Sequence, residues 1–251
     1  MKKFDYKKFL TVTNILMLII VLFYIFDRYL PLPKNYTGFT WASKDITAVD
    51  YLLGNCGGLL TNYLGVGKVL NYNSSQVYRY VTQMFLHGHL FHLIGNLVGL
   101  YFIGHYTEKR FGWWLTCIIF FTVGITEAFI TDPLYLAMAP SKAEELSKSV
   151  SVGASGGIFG LAGASLAALF FDIKSFKQID KPTLIVSIIY GVLTTYLVSF
   201  GWTTVCHNVS LILGLTVGVI IILPFYLLKK GKFSLANNST IQNDNDKNSS
   251  L

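Results

Sequence analysis

The sequence predicts an all-α, polytopic membrane protein built from six transmembrane helices, and three observations predict it. The first is composition. Of 251 residues, 53% are hydrophobic and only 13% charged, and mean hydropathy is +0.51, whereas about a quarter of the residues in a soluble domain carry charge. The second is spacing. A bilayer core needs about 20 mostly apolar residues per helix, and six stretches qualify, at about Phe9–Phe26, Met84–Gly104, Trp113–Ile130, Gly153–Phe171, Thr183–Phe200 and Thr204–Leu228. The third is the distribution of Lys and Arg, which favour cytoplasmic flanks.

If the N-terminus is inside, twelve cations fall in short inner flanks: Lys2, Lys3, Lys7, Lys8, Lys109, Arg110, Lys174, Lys177, Lys181, Lys229, Lys230 and Lys232. Seven fall outside (Arg28, Lys34, Lys44, Lys68, Arg79, Lys142, Lys148), five of them spread through the long first outer loop. Both termini are therefore expected in the cytoplasm of a multi-pass protein, with a bacterial cell membrane as the expected location.

Taken in order, residues 1–8 form a basic cytoplasmic N-terminus. The first apolar stretch follows these lysines as the core of a signal peptide would. It is long, however, and Phe26-Asp27-Arg28-Tyr29 offers no small-residue cleavage site, so it reads as a retained helix. The outer loop, residues 27–83, contains Trp41, Tyr51, Leu52, Leu53 and Tyr63, too apolar for a plain linker, and short interfacial helices are expected there. The fourth stretch is the least hydrophobic and the richest in small residues. The fifth, with Gly191, Thr194 and Thr195, is the candidate gate of the bundle. One membrane domain, residues 9–230, precedes a tail at 231–251, rich in Asn, Ser and Asp, that has little to bury and is expected to be disordered.

Composition also excludes function classes. The formal charge of +7 lies beside apolar runs and forms no basic stripe, which fits anionic lipid headgroups as partners and not nucleic acid. Cys56, Cys117 and Cys206 make no paired CxxC pattern, so neither a disulfide framework nor a zinc knuckle is indicated. His87-x-His89-x2-His92 lacks the HExxH pattern of a metalloprotease, and no metal or other cofactor is expected. No internal repeat suggests a transporter.

Polar groups inside a bilayer are costly, so each needs a reason. The second stretch holds His87, His89, His92 and Asn96, the fourth begins Gly153-Ala154-Ser155-Gly156-Gly157, and the sixth contains His207 and Asn208. In the orientation above, all three run inward from the outer face, with these residues in or near their first turns. Gly156, Gly160, Ala164 and Ala168 recur every four residues, as do Ser210, Gly214 and Gly218. Such stripes let helices approach closely in lipid. Ser155 lies one residue before the first stripe and His207 three before the second, so the contact brings a hydroxyl to a base able to take its proton. Glycines around Ser155 bare the N–H groups of a helix N-terminus, where negative charge is favoured. His92 and Asn96, at i and i+4, share a face and can donate to the same oxygen.

Gly153-Ala154-Ser155-Gly156, the helix carrying His87-x4-His92-x3-Asn96, the loop Glu108-Lys109-Arg110-Phe111-Gly112 and a histidine one turn into the last helix, in this order, resemble the rhomboid family of intramembrane serine proteases. The resemblance runs from about Tyr78 to Gly218. It implies a rhomboid-like helical bundle in which Ser155 is the nucleophile, His207 the general base, and the Ser155 N–H with His92 and Asn96 the oxyanion site. It further implies that Gly153, Gly156 and Phe159 support the site, Phe159 standing where an aromatic, commonly Tyr, packs on the catalytic histidine. Tyr78-Arg79 occupies the place of a Trp-Arg pair. The implied substrates are transmembrane proteins, cut near the outer membrane face.

Three departures bear on activity. The family's Ala-His-x-x-Gly-x-x-x-Gly is here Cys206-His207-x-x-Ser210-x-x-x-Gly214, and Phe159 lacks a hydroxyl. The extra hydroxymethyl of Ser210 is expected to loosen the approach of serine to histidine. No acid is placed to orient His207, so the site reads as a dyad. Glu127 reads as a packing or interfacial residue, and Glu108, Lys109 and Arg110 as a turn pinning the inner ends of the second and third helices. The alternative function is a non-catalytic rhomboid-like protein that binds transmembrane clients.

Overall fold

The computed structural model describes residues 10–29, 76–144, 151–171 and 205–220. The fifth stretch, most of the outer loop and both terminal segments lie outside the described residues. Helix α1, Val12–Tyr29, buries Leu16, Ile20 and Tyr24 and exposes Leu18, Leu22 and Ile25. That four-residue spacing is one helical face turned to the core and one to the surroundings. Helix α2, Arg79–Phe85, finishes in a 3-10 turn, and α3, Leu90–Phe111, leaves it at 94°.

The sequence predicts one helix from Met84 to Gly104, and the structure corrects this. Leu86 is extended, and His89, also extended, caps α3 by accepting the His92 N–H on Nδ1 at 3.1 Å. Hydropathy runs through the break. The bend is set instead by docking, since a Cβ on Gly124 would lie 3.0 Å from the Met84 Sδ and Phe85 packs between Phe23 and Phe121.

Helix α3 contains a π turn at Leu100–Gly104, and its exposed Phe91, Ile94, Val98 and Tyr101 form a continuous apolar stripe, a face suited to lipid. Gly112, at φ +84°, ends it in the left-handed region that suits glycine. Helix α4, Trp113–Met138, has 26 residues, about 39 Å at the α-helical rise, and is the described helix that meets a full spanning length and apolarity by itself. It is longer than the stretch expected, which stopped at Ile130, and it tolerates Pro133 in its interior. Helices α5, Ser155–Phe171, and α6, Val205–Ile220, complete the described bundle.

The glycines record how these helices lie. A Cβ on Gly160 would meet Val123, and one on Gly156 would come within 2.9 Å of the Glu127 Oε2; α4 and α5 are therefore antiparallel. Gly156 faces Ser210, Gly214 faces the Gly160 backbone and Gly218 faces Ala164. Residue numbers rise together along both helices, so α5 and α6 run parallel, with the two small-residue stripes in register as expected. Among the described helices α5 is the central one, with Ile158, Leu161 and Ala164 fully buried and Ala154, just before it, buried as well.

One tie was not foreseen. The Glu108 carboxylate, expected to pin the second and third helices, instead reaches α1, accepting the N–H groups of Val12 (2.8 Å) and Thr13 (2.9 Å) and the Thr13 hydroxyl (2.7 Å). It caps a helix N-terminus and brings the last turn of α3 level with the first turn of α1.

Candidate active site

Helix α3 runs parallel to α5, since His92 lies against Gly153 at one end and the Thr107 and Ser165 hydroxyls are 3.1 Å apart further along; as α6 is also parallel to α5, the N-terminal sides of α3, α5 and α6 gather at one end of the described bundle. All the candidate residues lie in or just before the turns at that end. The strand of chain entering α5 is fixed first: the Gly153 N–H donates to the Gln83 carbonyl at 2.9 Å and the Ser151 hydroxyl to the Gln83 Oε1 at 2.8 Å. Gln83, on α2, is buried. Sequence reasoning left it as the end of a loop, and no local pattern marks it, because its partner is 68 residues away.

Gly153 has φ +129°, and a Cβ there would stand 2.8 Å from Cε1 and 2.9 Å from Nε2 of His92, and 3.7 Å from Nδ2 of Asn96. Both the conformation and the space require glycine. The structure thus brings His92 and Asn96 together against the chain two residues before Ser155, on the shared face expected of them. Asn96 is buried, at 2% exposure, and His92 half-buried. The His87 ring is 5.0 Å and the His89 ring 5.7 Å from that of His92. His87 is buried and His89 exposed. Among the described residues, no group of three or more His, Cys, Asp or Glu side chains is arranged to hold a metal ion.

Ala154 precedes α5, accepting the Ile158 N–H at 3.0 Å, so Ser155 is the first residue of the helix and its N–H belongs to the turn that lacks intrahelical acceptors. Four residues on, Phe159 stacks on the His207 ring with centroids 4.4 Å apart and planes 17° from parallel. Ser155 and Phe159 share a face, and that face is turned to α6. In the parallel register His207 lies level with residue 153, so Ser155 is about 3 Å further along the axis at 1.5 Å per residue. His207 is buried, and Ser155 keeps partial access to the surroundings.

The Ser210 hydroxyl, expected to loosen this approach, turns back to donate to the Cys206 carbonyl at 2.9 Å and lies against Gly156, whose added Cβ would be 3.5 Å away. Its bulk is taken up where α5 has no side chain. Arg79 is buried, its Nε donating to the Gln76 Oε1 at 2.9 Å, with its guanidinium 5.9 Å from the Tyr78 ring centroid.

The sequence has known counterparts. Residues 74–226 match the Rhomboid domain, well over half of the chain. The chain belongs to the rhomboid family. It is accordingly an integral membrane protein with a helical membrane bundle. It is 28% identical over 146 residues to a protein called Rhomboid-like protease 2 from Toxoplasma gondii, covering 57% of this chain and 47% of that one. It is 30% identical over 150 residues to Inactive RHOMBOID-like protein 8 of Arabidopsis thaliana, covering 59% and 39%. With RHOMBOID-like protein 7 of the same plant it shares 28% over 129 residues, covering 51% and 37%. The chain thus spans less than half the length of these curated relatives. They include a protein named a protease and one named inactive, and all are eukaryotic, so the expected bacterial location rests on no relative named here.

Proposed function

We propose that this rhomboid is an intramembrane serine endopeptidase that cuts transmembrane protein substrates near the outer membrane face with a Ser155–His207 dyad. The observation that carries the reading is the stack of Phe159 on His207, which directs the face of α5 that bears Ser155 toward the base. His207 takes the proton from the Ser155 hydroxyl as it attacks the substrate carbonyl, then returns it to the leaving amine. The Ser155 N–H, His92 and Asn96 hold the developing oxyanion. Water, with His207 again as base, then releases the acyl group. The bundle has six spans, with both termini in the cytoplasm and the site toward the outside. Substrates must unwind to present a peptide bond that an intact helix shields, so a span with Gly, Pro or polar residues near its outer end is cut at a small residue.

The relative named inactive favours one second reading, a non-catalytic protein that binds transmembrane clients. Labelling with a fluorophosphonate probe separates the two. The proposal requires labelling of the parent that Ser155→Ala and His207→Ala each abolish in folded, membrane-inserted protein. Absence of labelling in a folded parent rejects it in favour of the second, and cleavage of a reporter by Ser155→Ala rejects the dyad mechanism.

A further inference from the structure

Glu127 belongs to no role so far described. It lies inside α4 at 6% exposure, which removes the interfacial reading. Its Oε1 accepts the Thr131 hydroxyl at 2.8 Å. Its Oε2 lies so close to Gly156 that a Cβ there would be 2.9 Å from it. The thiol of Cys206 comes within hydrogen-bonding reach of the same carboxyl group. Cys206, itself buried, immediately precedes His207, and its carbonyl accepts the Ser210 hydroxyl at 2.9 Å.

These contacts form one path from α4, past the bare Gly156 of α5, to the first turn of α6. A carboxyl group buried in apolar surroundings is costly unless its oxygens accept hydrogen bonds, so Glu127 holds whatever donor reaches it. The donor on α6 is Cys206.

We infer that Glu127 is a positioning residue for His207: its carboxyl group, by accepting the Cys206 thiol, clamps the first turn of α6 against the N-terminal end of α5. The two positions at which this chain departs from the family's Ala and Gly, Cys206 and Ser210, then act together. One supplies the thiol that Glu127 binds, and the other ties its hydroxyl back to the same residue's carbonyl. Glu127 touches neither substrate nor reacting atoms in this role. The inference rests on the reading of Ser155 and His207 as the reacting pair.

The test uses the full-length protein in detergent or vesicles, with a transmembrane reporter and the fluorophosphonate probe. Rates are normalised to folded protein, and only labelling that Ser155→Ala abolishes is counted. Glu127→Met, which keeps the volume and removes the acceptors, and Cys206→Ala should each lower kcat about 3- to 10-fold, the effect of one hydrogen bond, with KM unchanged. Glu127→Gln and Cys206→Ser, which keep an acceptor and a donor, should recover most of the loss. The double variant Glu127→Met with Cys206→Ala should be no slower than the slower single. Additive losses, or a Glu127→Gln as slow as Glu127→Met, overturn the clamp. Should Glu127→Met not fold, the comparison of Cys206→Ala with Cys206→Ser decides, and equal rates in those two overturn it. A folded parent that takes no label instead removes the dyad reading, and the clamp with it; a labelled parent with indifferent variants removes the clamp alone.

Discussion

The rings of Phe159 and His207 lie face to face, 4.4 Å between centroids, joining the helix of the proposed nucleophile to that of the proposed base through an aromatic stack. An aromatic pair contributes about 0.5–1.5 kcal/mol beyond its buried area. Phe159→Ala should therefore slow probe labelling up to about tenfold, since 1.4 kcal/mol is a factor of ten, while Phe159→Tyr keeps the stack and the rate. Equal labelling by the alanine variant, measured on folded protein, would show that the stack has no part in aligning His207.

Gly153 should admit no side chain. Gly153→Ala introduces a Cβ 2.8 Å from the His92 ring in a backbone conformation of φ +129°, and strain of that kind costs on the order of 1–3 kcal/mol. The expected result is a lowered thermal midpoint together with lost turnover, because the group displaced is the proposed oxyanion donor His92. His92→Ala and Asn96→Ala, which lack the strain, should lose about 10²–10³ in rate with little change in the midpoint. Undiminished turnover in both would remove them from the site.

The in-register contact of α5 and α6 sets a third expectation. A Cβ on Gly214 would run into the Gly160 carbonyl, whereas one on Gly95 meets nothing within 4 Å. Gly214→Ala should destabilise by about 1–3 kcal/mol as an overpacked core does, read as a lower midpoint in thermal unfolding. Gly95→Ala should leave stability unchanged or raise it, alanine being the better helix former. A neutral Gly214→Ala would contradict the packing of the stripes.

His89 gives a fourth, distinct from chemistry. Its ring caps α3, so His89→Ala should cost about 0.5–2 kcal/mol, and His89→Asn, which also caps, should restore most of it. Amide exchange in the first turn of α3 reads the effect directly. Unaltered exchange in His89→Ala would mean that the cap contributes nothing.

The features legible in the sequence were those carried by short-range spacing. Gly156, Gly160 and Ala164 announce a face where another backbone can approach, and Ser210, Gly214 and Gly218 announce its partner, so the pairing of two helices some fifty residues apart in the chain could be read from two local periods. His92 and Asn96 followed from one helical turn. The 94° bend before α3 was hidden, because apolar side chains such as Met84 and Phe85 look alike whether they continue a span or dock it sideways. The partners of Gln83, Glu108 and Glu127 were hidden for a related reason. A polar side chain in an apolar run shows that it needs a partner but carries no mark of which helix supplies it.

The cap on α1 has a consequence for biosynthesis. The two amides held by Glu108 belong to residues 95 and 96 positions earlier, so the ribosome completes the first helix long before the carboxylate that finishes it exists. Helix α1 must wait beside the growing chain with its leading amides satisfied by water or headgroups, and it reaches its final depth and rotation only when α3 has been delivered. Helix α1 is therefore locked well after it is made, and a chain released before Glu108 should leave it free for cellular quality control to recognise.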